Sequence, residues 1–464
     1  MAQLSGTNFF NKLTTKEYIF LFLILGICIT SFIISLEYIR FILVIEIFLL
    51  MIFALYLYYF INNLAVFLIV ISIIPLIDLS LIHFYKLSYL ALQNIPLYIF
   101  FFLFLATYLN QTPDFSLRLP YLLKIVLLYE CYSVILFFLG LANGAPVDLC
   151  FNELYQSFYF FLAIPIYYFF RNRSDYKIAL FTVVIVFVLV CIEYIILNTL
   201  SSSRVTTFHN HFLPFIVAAV VSALIFKKSS MIVKIQLIIL FIIITWGSIA
   251  TETRTLIIAN IVSLIVLVIF YIFRTTSGIK KIFNTIAMII FVLMPLFLIK
   301  GDKVTKIENP QSTEARIESI SDPQGDLSFL MRVEANYLGI QKFKMHPLIG
   351  EGFGFNLQMK WLLKSKYLYP DNSFLYYLLK GGVIFFIIAV WMYFSLLKQS
   401  YKVFKLSNSE FGRYMALAIL TGMIGILLTG MLNANLVRFK LNLIYALFFA
   451  FIAFEYEAIE HKNE

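Results

Sequence analysis

Long apolar runs alternate along the chain with short breaks that hold charged or turn-forming residues. Most runs reach about 18 residues, the length that an α-helix needs to cross the hydrocarbon core of a bilayer. About fourteen spans are predicted, within a range of about 12 to 14, because a short apolar run can instead be re-entrant. They cover residues 18–36, 41–61, 64–82, 88–108, 121–142, 154–170, 178–199, 212–226, 231–250, 255–273, 282–300, 373–397, 414–432 and 439–456. The predicted fold class is an all-α polytopic membrane protein.

One long polar interval interrupts this pattern between the eleventh and twelfth spans. The predicted organisation is helices 1–11 over residues 1–300, a large extracytoplasmic loop with short helices over 301–372, and helices 12–14 over 373–464. Within the loop, apolar residues of DLSFLMRVEANYLGIQKFKM recur at helical steps, which predicts a helix. Asp326 is its candidate N-cap, and Pro347 ends it.

Composition and charge favour a membrane protein over a protein that binds nucleic acid. Hydrophobic residues make up 62% of the chain and charged residues 13%, against roughly 25% charged in an average soluble domain. The net charge of +10 comes from lysines and arginines in short loops between apolar runs, which is a topology signal. Their distribution predicts cytoplasmic termini and an outer location for the 301–372 loop. The four cysteines form no disulfide framework.

Acidic residues inside predicted spans are a first group of candidates. Glu46, Glu130 and Glu193 lie within apolar runs, where an ionisable group is costly and is therefore a functional hypothesis by default. The alternative is that each is protonated or paired with a neighbour. Their spacing does not indicate a proton relay, so both interpretations stay open.

Arginines recur at the predicted outer boundary of the membrane. Arg204 lies in SSSRVTTFHNHF, which also contains His209, and Arg254 lies in TETRTLIIAN; Arg316 and Arg332 lie in the long loop. A guanidinium binds phosphate oxygens bidentately and stays charged when partly desolvated, so these residues are candidates for gripping a lipid diphosphate. Boundary arginines also snorkel, and a solvated linker helix would equally carry Arg332, so the structural alternative remains.

The stretch HPLIGEGFGFN holds the other polar candidates of the loop. Its three glycines let the backbone approach a ligand closely or form an amide nest that holds an anion. A dinucleotide fingerprint is excluded because no strand–turn–helix unit surrounds the glycines. His346 is a candidate catalyst, although a lone histidine is more often structural. No His, Cys or acidic residues have metal-ligand spacing, so no metal is expected.

HPLIGEGFGFN followed by DNSFLYYLLKGGVIFF resembles the O-antigen ligase and polymerase superfamily, whose members share many spans and a large outer loop. The resemblance covers roughly a quarter of the chain, and its motifs are moderately specific in combination. The matching residues are Arg332, His346, Pro347, Gly350, Gly352, Asn372 and Gly381 or Gly382, with Arg204 and Arg254 in two upstream segments. Similar lipid A core ligases carry a histidine where this chain has Asp371. That departure favours a polymerase and transfers no histidine base to the position.

The resemblance implies glycosyl transfer on the outer leaflet of a bacterial inner membrane. A hydroxyl of one lipid-linked oligosaccharide would attack the anomeric carbon of a glycan held on undecaprenyl diphosphate. Arg204, Arg254 and Arg332 are the residues expected to stabilise the leaving diphosphate. Asp371 or His346 is expected to serve as the base near the acceptor.

The resemblance also sets expectations for binding and for partners. Glu351 would assist the base. The expected substrate-binding residues are His209, Arg316, Glu351, Gly352 and Asn372. No cofactor and no nucleotide sugar are expected, and a protein that regulates chain length is a further expected partner.

Three alternatives to a polymerase remain open. An O-antigen ligase would move the finished glycan to lipid A core or to a protein. A flippase for the same lipid-linked sugars would also have about fourteen spans, but the long outer loop and the lack of a repeat between the two halves argue against it. An inert scaffold of a polysaccharide assembly complex is the third.

Overall fold

The computed structural model describes just over half of the chain. The described residues are 119–172, 213–226, 230–250, 254–274, 327–358, 367–368, 372–431 and 439–463, with positions 180, 191, 370 and 436. The predicted spans from residue 18 to residue 108 and at 282–300 lie outside these ranges, as does nearly all of 178–199.

The described residues form ten α-helices and one short β-ladder. The helices are α1 (Tyr121–Ala142), α2 (Val147–Phe158), α3 (Ala163–Asn172), α4 (Leu213–Phe226), α5 (Met231–Ala250), α6 (Arg254–Arg274), α7 (Leu327–Met345), α8 (Ser373–Leu406), α9 (Glu410–Thr429) and α10 (Phe439–Asn463). Strands β1 (Leu357–Gln358) and β2 (Tyr367–Leu368) pair antiparallel. The ladder is an addition to the predicted all-α fold, and two residues per strand are too few for an alternation to be read from sequence.

Four stretches among the described helices are long and apolar enough to cross a membrane. They are Tyr121–Ala142, Met231–Ser248, Ser373–Leu406 and Glu410–Thr429. α4 and α6 contain shorter apolar stretches. The helical membrane protein predicted from the sequence is confirmed, whereas the total number of spans and the layout of the loop stay predictions.

The apolar run at 154–170, predicted as one span, is two helices in the structure. α2 ends at Phe158, a 3₁₀ turn follows over Phe160–Leu162, and α3 begins at Ala163. Pro165 therefore lies in the first turn of α3, where its missing N–H has no intrahelical partner to lose. The break was not predicted from the sequence because the run is apolar on both sides of it, and hydropathy indicates burial and not the direction of the backbone.

Small residues set the close packing of α9 against its neighbours. α9 packs against α4, α6 and α8. A Cβ added at Gly422 would lie 2.7 Å from the Cα of Phe215 in α4, and one at Gly425 would lie 2.3 Å from the Oγ of Ser263 in α6. Glycine at such contacts lets apolar helices approach each other closely. Close packing matters in a membrane, because the hydrophobic effect does not drive one apolar helix toward another in lipid.

Aromatic side chains fill the centre where α8 meets α1 and α10. Tyr129 stacks on Phe385 with ring centroids 5.0 Å apart, and Phe160 stacks on Tyr445 at 6.0 Å. Tyr377 is also buried there, and its ring meets Phe385 edge-on at 5.3 Å. This rigid core supports the middle of α8, which is the part of the helix that meets the loop.

α7 is the helix predicted inside the polar interval, and the helix is confirmed, although Tyr337 of the apolar pattern is exposed. It packs against the start of α8, since a Cβ added at Gly339 would lie 3.0 Å from Pro370 and 3.1 Å from Leu375. Asp326, its predicted cap, lies outside the described residues. The helix ends at Met345, two residues before Pro347, as a proline at that place requires.

Candidate active site

The segment after α7, residues 347–354, enters a break in α8 and is called the docked segment below. Gly382 interrupts that helix with φ 63° and ψ −163°. In a continuous helix the N–H groups of residues 383 and 384 would donate to carbonyls four residues earlier. Here the Val383 N–H donates to the Pro347 carbonyl at 2.9 Å, and the Ile384 N–H donates to the Leu348 carbonyl at 3.4 Å. The loop thus supplies the acceptors that the broken helix lacks.

The two helix carbonyls released by the break are used in turn by the loop. The Leu379 carbonyl accepts from the Glu351 N–H, and the Lys380 carbonyl accepts from the Gly352 N–H, both at 2.9 Å. Two intrahelical bonds are therefore replaced by four bonds between the segments. The backbone on each side of Glu351 is fixed to α8 in consequence.

The glycines of this segment are required by close approach to the protein's own helices. A Cβ at Gly350 would lie 2.5 Å from the Lys380 carbonyl oxygen, one at Gly352 2.2 Å from the Gly140 nitrogen, and one at Gly354 2.5 Å from the Cys150 Sγ. All three glycines have φ between 70° and 84°. The backbone approaches other parts of the protein closely here, whereas the expected close approach to a ligand stays a prediction.

The expectation of an amide nest for an anion is wrong. The N–H of Gly350 donates to the His346 carbonyl and that of Phe353 to the Leu136 carbonyl, and the Gly354 N–H donates to Glu153 Oε2 at 2.9 Å. With the bonds of residues 351 and 352 to α8, every amide from 350 to 354 already has a partner. An anion would find no free donor in this run.

A buried ion pair that was not predicted from the sequence holds the segment in place. Lys380 Nζ lies 2.7 Å from Glu153 Oε1, and the lysine side chain is fully buried. The ammonium also donates to the Phe355 carbonyl and lies 5.5 Å from the centroid of the Tyr376 ring. Because Glu153 holds Lys380 with one oxygen and the Gly354 amide with the other, α2, the loop and α8 are joined at one point. The available signal was a lysine inside the predicted 373–397 span.

Cys150 adds a further contact between α2 and the segment. Its Sγ donates to the Phe353 carbonyl at 3.1 Å. Burial raises the pKa of the Cys150 thiol, the nearby Glu153 carboxylate raises it further, and Lys380 opposes both. The thiol therefore stays protonated and acts as a donor here, not as a nucleophile.

The predicted site residues in the docked segment and just before it occupy very different environments. Glu351 is buried, with 8% of its surface exposed, and its carbonyl accepts from Asn143 Nδ2 at 3.0 Å. Gly352 lies against Gly140 in α1. His346 is exposed at the end of α7, and its carbonyl receives the Gly350 N–H. The structure therefore brings Glu351 and Gly352 into the packed centre and leaves His346 at the surface.

Asn372 is the N-cap of α8. Its Oδ1 accepts from the N–H groups of Phe374 at 2.9 Å and Leu375 at 3.1 Å. The cap explains why an amide side chain suits the residue that begins this helix. Its role in substrate binding stays a prediction.

The structure describes only some of the predicted arginines. Arg332 is half-buried on α7, the helix that packs on the start of α8. Arg254 is the first residue of α6, and its side chain is not described. Arg204, Arg316, His209 and Asp371 lie outside the described residues. The predicted meeting of Arg204, Arg254 and Arg332 at one diphosphate site therefore stays a prediction.

Glu130, one of the acids predicted inside a span, has a hydrogen-bond partner on one carboxylate oxygen, and its Oε1 is buried with no partner among the described residues. Ser157 Oγ donates to Glu130 Oε2 at 3.2 Å between α1 and α2. In the part of the chain that the structure describes, no three His, Cys, Asp or Glu side chains lie together as they would around a metal ion. The expectation of a metal-independent site stays untested.

Comparison with known families identifies the region in which this site lies. Residues 238–390 match the family described as O-antigen ligase. The match covers about a third of the chain and contains α6, α7, the docked segment and the first half of α8. Glu153 and Asn143 contact this region from outside the match. A search of curated proteins finds no match to the chain.

Proposed function

We propose that this chain, which carries the O-antigen ligase domain at residues 238–390, is a membrane glycosyltransferase that polymerises lipid-linked oligosaccharide repeats. It would transfer the growing glycan from undecaprenyl diphosphate to the next lipid-linked repeat on the outer leaflet of the bacterial inner membrane. The product would be an O-antigen or a capsular polysaccharide. The family match, which falls on the region where α7, the docked segment and α8 pack together, is the observation that carries the proposal.

The chemistry of this transfer suits the three arginines predicted from the sequence. A diphosphate is already a good leaving group, so the enzyme needs stabilisation of negative charge more than a general acid. Arg204, Arg254 and Arg332 are the proposed donors to the diphosphate, since a guanidinium binds two phosphate oxygens at once. Direct displacement by the acceptor hydroxyl would invert the anomeric configuration.

The length of α8 is sufficient for the proposed membrane span. Its residues after the break at Gly382, 383–406, extend about 36 Å at about 1.5 Å per residue, which exceeds a hydrocarbon core of about 30 Å. The two ends of α8 would therefore lie on opposite sides. The start of the helix, with α7 and the docked segment, would face outward, and the turn at Ser407–Ser409 would face the cytoplasm together with both termini.

An O-antigen ligase is the second candidate, because the matching family is described by that activity. A ligase would use the same diphosphate donor and a different acceptor, either lipid A core or a protein. Asp371 stands where similar ligases carry a histidine, and this supports the polymerase.

The glycan profile of a deletion strain separates the candidates. Loss of a polymerase should leave a single repeat on the lipid core, whereas loss of a ligase should leave free polymer and bare core. Lipid-linked repeats trapped on the inner leaflet would contradict both and indicate a flippase. Restoration of long chains by the plasmid-borne gene is the control. A chain-length regulator is the proposed protein partner, and its removal should change the length distribution without abolishing polymer.

A further inference from the structure

One side of α7 is apolar and exposed. Val333, Tyr337 and Ile340 have between 44% and 60% of their surface exposed. They recur at steps of four and three residues, so they form one stripe along the helix. Gly339, where an added Cβ would lie 3.1 Å from Leu375 of α8, belongs to another side. α7 is therefore apolar on two sides, and only one of them packs on α8.

The exposed apolar surface continues beyond the stripe into the turn at residues 345–349, called the apolar turn below. Met345, Leu348 and Ile349 have between 48% and 66% of their surface exposed. From Gly350 to Gly354, in contrast, the docked segment is buried. A contiguous exposed apolar surface of this kind marks a place where a protein meets a lipid bilayer or another protein.

Hydrogen bonds of the docked segment place the apolar turn at the end of a membrane span. The Ile384 N–H donates to the Leu348 carbonyl, so Leu348 lies level with the first turn of residues 383–406, the part of α8 that is long enough to cross the bilayer. An added Cβ at Gly352 would touch Gly140, which lies near the end of α1, a second candidate span. The apolar turn is therefore level with the ends of two spans.

The exposed face of α8 adjoins the apolar turn. Ile384, Ile387 and Phe394 are exposed along the part of α8 that follows the break. In a helical membrane protein, lipid acyl chains cover such a face of a spanning helix. Since Leu348 is hydrogen-bonded to Ile384, the apolar turn continues a surface that lipid already covers. This continuity favours lipid over a protein partner as the cover of the apolar turn and of the stripe on α7.

The charge at the end of α7 fits the same environment. Lys344 follows Ile340 by four residues, so it lies on the side of the stripe, and it is exposed. Lys342 is half-buried one turn before the apolar turn. A lysine side chain can extend from an apolar surface to the lipid headgroups, and its ammonium is attracted to anionic headgroups.

We propose that α7 and the apolar turn lie in the interface of the bilayer, on the side of the membrane where α8 begins. The stripe and the apolar turn contact acyl chains, and Lys344 extends to the headgroups. Helices of this kind bury their apolar face by about 5–10 Å. Arg332, next to Val333 in the sequence, is thereby held close to the headgroup region. This proposal concerns how the loop is held and does not depend on the glycosyl transfer proposed above.

Quenching of a fluorophore by nitroxide lipids measures the depth of each position. Tyr337→Cys, Leu348→Cys and two controls, Glu334→Cys and Phe394→Cys, are labelled with an NBD maleimide in the full-length protein. Each is reconstituted into vesicles of phosphatidylethanolamine and phosphatidylglycerol with a nitroxide either near the headgroup or near the end of the acyl chain. Labelled protein without a new cysteine gives the background of the native cysteines.

Tyr337→Cys and Leu348→Cys should be quenched several-fold more by the shallow nitroxide than by the deep one. Glu334, on a polar side of the same helix, should be quenched less than either by the shallow nitroxide. Phe394 is exposed midway along residues 383–406, so its label should show the opposite preference, for the deep nitroxide. If Leu348→Cys does not fold, Ile349→Cys tests the apolar turn at the next exposed position.

Three results would overturn the proposal. Quenching at Tyr337 and Leu348 no stronger than at Glu334 would mean that the surface does not contact lipid. Blue-shifted emission without quenching would mean that protein covers it, and disulfide cross-links between copies would identify a second copy of the chain. Quenching that is lost when undecaprenyl phosphate is added would mean that a polyprenyl chain occupies the surface instead of the bulk leaflet. Because no turnover is measured, a failure of the proposed function would leave these results unchanged.

Discussion

Gly352 is constrained in two independent ways, and each has a different energetic signature. Its φ of 84° is unfavourable for any residue with a Cβ, and that Cβ would lie 2.2 Å from the Gly140 nitrogen. Gly144 has a similar φ of 77° but no atom within 4 Å of an added Cβ. Substitution of Gly144 therefore measures the cost of backbone strain alone, whereas substitution of Gly352 measures backbone strain and steric overlap together.

Gly352→Ala should destabilise the protein more than Gly144→Ala. We expect about 1–3 kcal/mol for Gly144→Ala from the positive φ alone. Gly352→Ala should lose at least about 1–3 kcal/mol more, because the methyl group overlaps a backbone atom that cannot move without shifting α1. SDS titration of the purified variants measures both values. Equal losses would mean that the docked segment does not approach α1 as closely as the structure indicates.

Arg332 makes the sharpest test among the arginines whose side chains are described. If it binds the leaving diphosphate, Arg332→Ala should lower the transfer rate about 10²- to 10³-fold, the usual cost of removing one donor to a developing charge. Arg332→Lys should rescue only part of this, because an ammonium cannot bind two oxygens in one plane. Chain length on gels and the amount of protein in membranes are the measurements. Lys344→Ala, an exposed residue of the same helix, is the control, and long chains in Arg332→Ala would remove the residue from the catalytic set.

At the scale of elements, the Glu153–Lys380 pair joins three parts of the chain that are distant in sequence. The two residues are 227 positions apart. Lys380→Met should cost about 3–5 kcal/mol, because it leaves a mostly buried carboxylate without its cation. The double variant with Glu153→Gln should lose less than the sum of the single losses, since no charge then remains unpaired. Lys398→Met, at an exposed position of α8, should be nearly neutral; additive losses would show that the pair is not coupled.

Sequence patterns predicted single elements well and contacts between elements poorly. The period of α7 and the apolar lengths of α1, α8 and α9 were visible because each is a local property. The break at Gly382 was not, because a glycine in an apolar run is compatible with a continuous helix and its new partners lie about 35 residues upstream. The pairing of Lys380 was hidden for the same reason.

At the scale of the whole molecule, the motif residues that the structure describes lie close together in the fold and have different environments. The motif glycines pack closely against neighbouring helices, and Asn372 caps the start of α8. Most of Glu351 is buried beside them, which the pattern of residue types did not indicate. His346 matches the motif and is nevertheless exposed.

The orientation of the molecule is testable with single cysteines. Lys344→Cys should react with a membrane-impermeant maleimide added to intact cells, because the end of α7 is proposed to face outward. Asn408→Cys, exposed in the turn after α8, should react only after the membrane is opened. Unsubstituted protein gives the background from its native cysteines; Cys150 should contribute little, since burial keeps its thiol protonated. The reverse labelling pattern would invert the proposed topology.

The break in α8 also has a consequence for how access to the site could be controlled. If residues 347–352 withdrew, the N–H groups of Val383 and Ile384 could return to the carbonyls of Leu379 and Lys380, at ordinary helical spacing. These two N–H groups would then not be left unpaired in a medium without water. The hydrogen bonds of this part of α8 would be complete within the helix, as they are now complete with the loop. The change would break four hydrogen bonds and re-form two, so withdrawal of the loop would not leave an unpaired helix end in lipid.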